Sequence, residues 1–291
     1  MRTLGFYTRP GVMTSAGRYA PLLAELPGDV AGLAAAAQGL LIHEFIAAAY
    51  GVTLPDAGRD SVHVRPAEGL LERITARDAR PLAAAREPRD RVASNCRGFT
   101  VLMVAMLRAH GTPARARCGF GGYFTEGRFE DHWVCEYWHA GEQRWVLVDA
   151  QIDARQRELF SIGFDVTDVP RGRFLIAGDA WALCRSGAAD PERFGLSEIG
   201  EAGDWWIAGN LMRDAAALGN LEVLPWDCWG AMPGENEVIG DARRALFDRL
   251  AALTQSPDRA FSELRGLVRG DDQLRVPPVV HNALRQRDEP V

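Results

Sequence analysis

Three observations in the 291-residue sequence predict an α+β fold. Capped apolar runs of helical length fill most of the first 110 residues. Two β-rich runs, "DHWVCEYWH" and "QRWVLVDAQ", stand either side of a short Ala-Gly-Glu turn. Helical patterns then return towards the carboxy terminus. No repeat or low-complexity linker divides the chain, so one domain over 1–291 is expected. Its core would span about 66–160, with amino-terminal helices in 1–65 and a Trp-rich, helical elaboration in 161–291.

Residues 17–26 and 29–50 read as two helices. Asp29 suits the second N-cap and Gly51 its stop. Residues 66–78 read as another helix. "PLAAAREPRDRVAS" reads as a short helix followed by an arginine-rich approach to Cys96. The next helix runs from Cys96 to about His110, capped by Ser94 or Asn95 and ended by Gly111 and Pro113. Its residues 101–107 are all apolar. A helix apolar all round is one packed on all sides, so this one is expected at the centre.

"ARARCGFGGYF" begins as a strand, with Ala114, Ala116, Cys118 and Phe120 on one face and Arg115 and Arg117 on the other. "GDWWIAGN" reads as a cleft-lining loop, because glycines and polar residues bound it. Residues 241–254 and 257–267 read as late helices, and "RQRDEPV" as a frayed tail.

Composition narrows the function classes. Apolar residues at 47% and charged residues at 25% describe a soluble globular chain. A formal charge of −6 argues against nucleic acid held through its phosphates. All 33 basic residues are arginine. GC-rich coding is the plain reading of that bias; the other is an acyl-transferring enzyme that avoids acylating its own lysines. The start "MRTLGFYTRPG" lacks a signal pattern, and the apolar stretch 30–50 is broken by Gln38, His43 and Glu44. It falls short of the ~18 or more apolar residues of a membrane helix. A cytoplasmic protein without membrane or nucleic-acid partners is expected. Cys96, Cys118, Cys135, Cys184 and Cys228 are scattered and form no CxxC, so reduced thiols and no zinc site are expected. No metal or cofactor is implied.

The chemistry concentrates in three segments. Cys96 opens a helix, where free N–H groups favour a thiolate. His132 begins one strand of the expected hairpin and Asp149 ends the other. A two-residue Gly141–Glu142 loop sets Ala140 against Gln143 and therefore Asp149 against Val134. His132 then lies diagonally on the face of Asp149, where such neighbours stand ~7–8 Å apart. A four-residue loop gives the same register, whereas an odd-length loop without a bulge puts the pair on opposite faces. Cysteine as nucleophile, histidine as base and aspartate as orienting acid is the arrangement that thiol acyl transfer needs. The Cys96 N–H would supply one oxyanion donor.

"NCRGFTVLMVAMLRAHGTPARARCGF", "DHWVCEYW" and "RWVLVDAQ", in that order, resemble the transglutaminase-like superfamily. The resemblance implies a papain-like core, with a buried nucleophile helix packed on an antiparallel sheet. It implies Cys96 as nucleophile, His132 as base and Asp149 as orienting acid. Two positions depart from the family pattern. Gly98 stands where many members carry aspartate, and Trp133 follows the histidine where a small residue is usual.

The expected activity is cysteine-dependent hydrolysis of an amide or peptide bond through an acyl-enzyme, on a peptide or small amide or thioester substrate. Amide formation with an amine acceptor is the alternative, and a non-catalytic binding module on the same scaffold is the reading from another class. Coenzyme-A-dependent acetyl transfer ranks third, because no basic pocket for its phosphates is evident. Trp133, Trp205, Trp206, Gly121 and Gly122 are candidate substrate contacts. Glu130 and Asp131 read as solvated loop acids, and the four other cysteines as structural.

Overall fold

The helix Cys96–Ala109 is buried from Cys96 to Arg108 without interruption. In a computed structural model that describes residues 2–55 and 60–291, the chain is α+β and forms two compact units. One comprises 1–116 and 133–170, the other 117–132 and 171–291. Residues 1 and 56–59, within the expected amino-terminal elaboration, lie outside the described residues. Among the described residues no helix is long and apolar enough to cross a membrane.

In the first unit the cysteine helix packs against helices Ala20–Ala24, Val30–Leu40 and Ala67–Arg77 and against the short strand before it. That strand, β2 (Val92–Ser94), runs parallel to β1 (Leu41–His43), with Leu41 opposite Val92 and His43 opposite Ser94. The helix expected over 29–50 therefore stops at Leu40. Asp29 caps it through Gly32 N–H at 2.8 Å, as expected, and Leu41 already has extended backbone at φ −117°. All three residues of β1 are buried, and their ladder bonds to β2 replace the helical ones. Gly51 does end a helical turn, with φ 71°, but that turn is the separate 3₁₀ segment Ala47–Tyr50.

The α-helix expected in "PLAAAREPRDRVAS" is also absent. Residues 81–84 form a turn, and Pro88–Asp90 a 3₁₀ turn. Arg86 explains this. Its guanidinium donates to the carbonyls of Asp78, Arg80, Pro81 and Ala84, so those acceptors are satisfied without a helix. The Arg86 N–H binds Gly39 O at 2.9 Å, and a Cβ at Gly39 would stand 3.0 Å from Ala85.

Strands β3 (Ala114–Gly121) and β4 (Phe129–His139) are neighbours, and each passes from one unit into the other. In the first unit β4 pairs antiparallel with β5 (Arg144–Val148). Arg115 meets Glu136 there at 2.6 Å, both nearly fully buried, with its guanidinium 3.8 Å from the centroid of the Trp145 ring. In the second unit β3 pairs antiparallel with β6 (Phe174–Ile176), β4 pairs parallel with β7 (Phe194–Leu196), and β7 pairs antiparallel with β8 (Glu201–Ala202). Gly119 is required by the first of these contacts, because a Cβ would fall 2.1 Å from Leu175 O. Arg117 forks onto Asp214 of the helix Asp204–Leu218 at 2.9 Å through both Nε and Nη2. The Cys118 N–H donates to the same carboxylate. The alternation of β3 does not mark a solvent face: all eight of its residues are buried, and both arginines are paired.

Two further expectations change in the second unit. "GDWWIAGN" is the start of the helix Asp204–Leu218, not a loop. Twelve of its residues are buried, from Ile207 onwards, so packing outweighs the local glycine signal. The carboxy-terminal segment is not frayed. β10 (Val279–Asn282) and β11 (Arg287–Pro290) form a hairpin, with β9 (Asp227–Cys228) on the other edge of β10. Buried Asn282 and Glu289 join it at 2.8 Å. The late helices form at Asp241–Gln255 and Phe261–Gly270.

Removing one partner of a buried ion pair leaves the other charge stranded. Asp214→Ala is expected to cost about 3–5 kcal/mol, read from the denaturant midpoint. The double change Arg117→Met with Asp214→Leu is expected to cost less than either single change.

Candidate active site

Cys96 sits where a strand turns into a buried helix, and its surroundings are built to close the helix start from within. Asn95 has extended backbone, and its Oδ1 accepts from Gly98 N–H at 3.0 Å. Its Nδ2 donates to Val62 O at 3.1 Å, so one side chain caps the helix and ties it to the preceding segment. On the same stretch, Ser61 Oγ donates to Ala93 O at 2.6 Å. Arg97 donates to the carbonyls of Val64 and Arg65. Cys96 is 7% exposed, and its carbonyl accepts from Thr100 Oγ1.

The departure at Gly98 has a steric cause. A Cβ there would lie 2.0 Å from Ser94 Oγ and 3.3 Å from Ser94 Cβ. The serine hydroxyl occupies the space that a side chain at 98 would need.

Asp149 follows β5 in the same unit and is 1% exposed. Its N–H donates to Val166 O at 2.8 Å, and its Oδ1 accepts from Gln151 N–H at 3.1 Å. A chain of side chains continues from there. Gln151 donates to Gln156 Oε1, and Gln156 donates to the Tyr50 hydroxyl. Tyr50 in turn donates to Asp153 at 2.7 Å. Burial, then the Asp153 carboxylate, pushes the Tyr50 phenol well above its usual range. Asp153 also caps the helix Ala154–Leu159 and faces Arg91 at 3.5 Å.

The hairpin register is the one expected, with a four-residue loop. His139 pairs with Arg144 and Cys135 with Val148. The loop carries Gln143 in the left-handed region at φ 53°.

His132 lies on β4 in the second unit and is 2% exposed. Phe124, Tyr123 and Phe174 present edges to its ring at centroid distances of 4.8, 6.0 and 6.3 Å. None of these three stands out in the sequence. Gly121 and Gly122 have steric reasons of their own. A Cβ at Gly121 would meet the Phe124 ring at 2.6 Å, and one at Gly122 the Phe129 ring at 2.7 Å.

The acids before the histidine are not solvated loop residues. Glu130 is buried on β4 and accepts from Ser197 N–H and Oγ. Asp131 accepts from Trp206 Nε1 at 2.7 Å. Trp205 packs edge-on against Trp206, with ring centroids 5.1 Å apart. The indole nitrogens of Trp205 and of the 1% exposed Trp133 find no hydrogen-bond partner among the described residues. Among those residues no three His, Cys, Asp or Glu side chains gather as metal ligands.

Gly98→Asp is expected to destabilise the protein by about 1–3 kcal/mol through overpacking. Adding Ser94→Gly is expected to recover much of that loss, as read from thermal unfolding.

Residues 67–150 match the family model of the transglutaminase-like superfamily. The matched segment contains Cys96, His132 and Asp149 and ends one residue past the last of them. No curated protein matches the chain. Among solved structures, a candidate cysteine protease from Cytophaga hutchinsonii is 18% identical with a TM-score of 0.31. The similarity covers 51% of this chain and 42% of that one. Over residues 67–150, then, the chain is similar to the transglutaminase-like superfamily.

Proposed function

We propose that the protein is a cysteine acyl-transfer enzyme that hydrolyses an amide or peptide bond, with Cys96, His132 and Asp149 as its triad. His132 takes the proton of the Cys96 thiol, the thiolate attacks the carbonyl, and a tetrahedral oxyanion forms with the Cys96 N–H as one donor. The C–N bond breaks as His132 protonates the leaving amine, which leaves a thioester on Cys96. His132 then takes a proton from water, which attacks the thioester and releases the acid. Asp149 keeps the imidazole in the tautomer that accepts from the thiol.

The observation that carries this reading is the β4–β5 register. Carried one pair past Cys135–Val148, it sets Asp149 opposite Val134. His132 is two residues before Val134, on the same face of β4 by strand alternation. An odd register would have removed the reading. The rigid anchoring of Asp149 by Gln151 N–H and Val166 O supports it further, because an orienting acid has to be held.

Trapping is the direct test. Incubation with a mixed amide, ester and thioester library is expected to leave an acyl adduct on Cys96, located by mass spectrometry. Cys96→Ala is expected to abolish it. Asp149→Asn is expected to lower turnover by about 10⁴-fold while the fold stays intact. Products made with and without an added amine separate hydrolysis from transfer. An adduct on another residue, or none, would remove the proposal.

Alkylation gives an independent prediction. Iodoacetamide near pH 6 is expected to modify Cys96 ahead of the other thiols. Burial, with Asp204 and Asp190 nearby, pushes the Cys184 thiol up to about 12, so Cys184 is expected to stay unmodified.

A further inference from the structure

Residues 149–153 lie in the first unit, past the last β4–β5 pair and before the helix Ala154–Leu159. The strand ladder no longer holds them, and side chains and backbone from elsewhere in the unit do so point by point. Asp149 N–H donates to Val166 O at 2.8 Å, and Gln38 Nε2 donates to Ile152 O at 3.0 Å. The Asp153 carboxylate accepts from the Tyr50 hydroxyl at 2.7 Å and faces Arg91 at 3.5 Å. The remaining point is Gln151, and buried Gln156 holds it twice. Gln151 Nε2 donates to Gln156 Oε1 at 3.0 Å, and Gln156 Nε2 donates to the Gln151 carbonyl at 3.0 Å.

This clamp exceeds what the helix start needs. The N-cap Asp153 already accepts from the Gln156 N–H at 3.0 Å. A glutamine three residues after an N-cap ordinarily closes a capping box by reaching back to the N-cap N–H. Here both ends of its amide go to Gln151, and Nε2 is anchored further by the Tyr50 hydroxyl at 3.1 Å. Packing alone does not call for the pair either. Gln151 Oε1 is buried without a hydrogen-bond partner among the described residues, a loss that an apolar pair of the same shape would avoid.

The Asp149 carboxylate depends on the turn that is clamped. Its Oδ1 accepts from the N–H of Gln151, two residues on, at 3.1 Å, the bond of an Asx turn. Rotation of the backbone at residue 151 would carry that N–H away. We propose that Gln156 is a positioning residue for Asp149: by gripping Gln151 at both carbonyl and side chain, it keeps the Gln151 N–H on the Asp149 carboxylate and so sets the orientation of that carboxylate. The inference rests on the triad reading, in which Asp149 orients the imidazole.

Two measurements on the full chain test it. Amide hydrogen exchange reads the Gln151 N–H directly. Gln156→Leu removes both bonds to Gln151 at similar volume. It is expected to speed exchange of that N–H by about tenfold or more, while amides of the cysteine helix keep their protection. Tyr50→Phe removes only the outer anchor of Gln156 and is expected to do the same to a smaller extent; where Gln156→Leu does not fold, this nearly isosteric change carries both measurements. The second is the rate of Cys96 alkylation by iodoacetamide between about pH 5 and 9. Gln156→Leu is expected to slow it about tenfold near pH 6. The loss is expected to vanish in an Asp149→Asn background, where a residue acting through Asp149 has nothing to act on. An equal loss in both backgrounds would make Gln156 a merely structural residue and overturn the inference. So would unchanged exchange at Gln151, or alkylation that falls in Asp149→Asn but not in Gln156→Leu. Alkylation indifferent to Asp149→Asn itself would sink the triad reading, and the exchange rate alone would then decide whether Gln156 sets the Asp149 turn.

Discussion

A helix with no solvent-facing side cannot leave its first-turn N–H groups to water, and that constraint organises the first unit. Asn95 closes one of those groups and anchors the cap to Val62 in the same act. The strand before it is held in register by β1, and Ser94 is lodged where Gly98 has no side chain. Cys96 therefore occupies a position whose backbone is determined from both directions. On the triad reading proposed above, this fixed place is what a nucleophile needs, because a misplacement of about 1 Å can cost on the order of 10²-fold in rate.

Buried arginine forks do a comparable task in β3 and elsewhere. Arg86 gathers four carbonyls, Arg108 binds Ala114 O and Thr14, and Arg117 binds Asp214 and Thr254 O. A lysine could not reproduce these planar, multi-donor contacts. At exposed positions such as Arg18 and Arg249 the ion pairs ask for no such geometry. The absence of lysine thus has a structural reason inside the protein and a compositional one outside it. Buried pairs contribute little net stability but penalise any slip that separates them. Arg115–Glu136 and Arg117–Asp214 pin β3 to two different neighbours and so fix the strand beside β4.

What was legible in the sequence were features decided locally. The Asp29 cap, the start of the cysteine helix and the parity of the hairpin each depend on residues within a few positions of one another. The errors share a cause. Residues 41–43 are apolar enough for a buried helix or a buried strand, and only the distant β2 decides between them. The 81–85 turn depends on where one guanidinium folds back. The glycines and tryptophans of "GDWWIAGN" look like loop chemistry until Asp131 supplies a partner for Trp206 inside a helix. The last strand reads as a polar tail because Glu289 and Asn282 satisfy each other across a hairpin. In every case the missing information was a partner for a polar or ambiguous segment, distant for β1 and the tryptophans and local for the 81–85 turn and the last hairpin.

The same rule, turned round, accounts for how firmly β4 is held. Its polar side chains each meet a dedicated partner from a different element: Glu130 with Ser197, Asp131 with Trp206, Glu136 with Arg115, and the His132 ring among three aromatic edges. A strand needs only its ladder and an apolar face to hold its place. One in which successive polar residues are individually tethered has its register specified several times over. A one-residue slip would strand at least three buried charges at once. Such redundancy has little purpose for packing alone; on the triad reading proposed above, it holds the His132 imidazole in one position through each turnover.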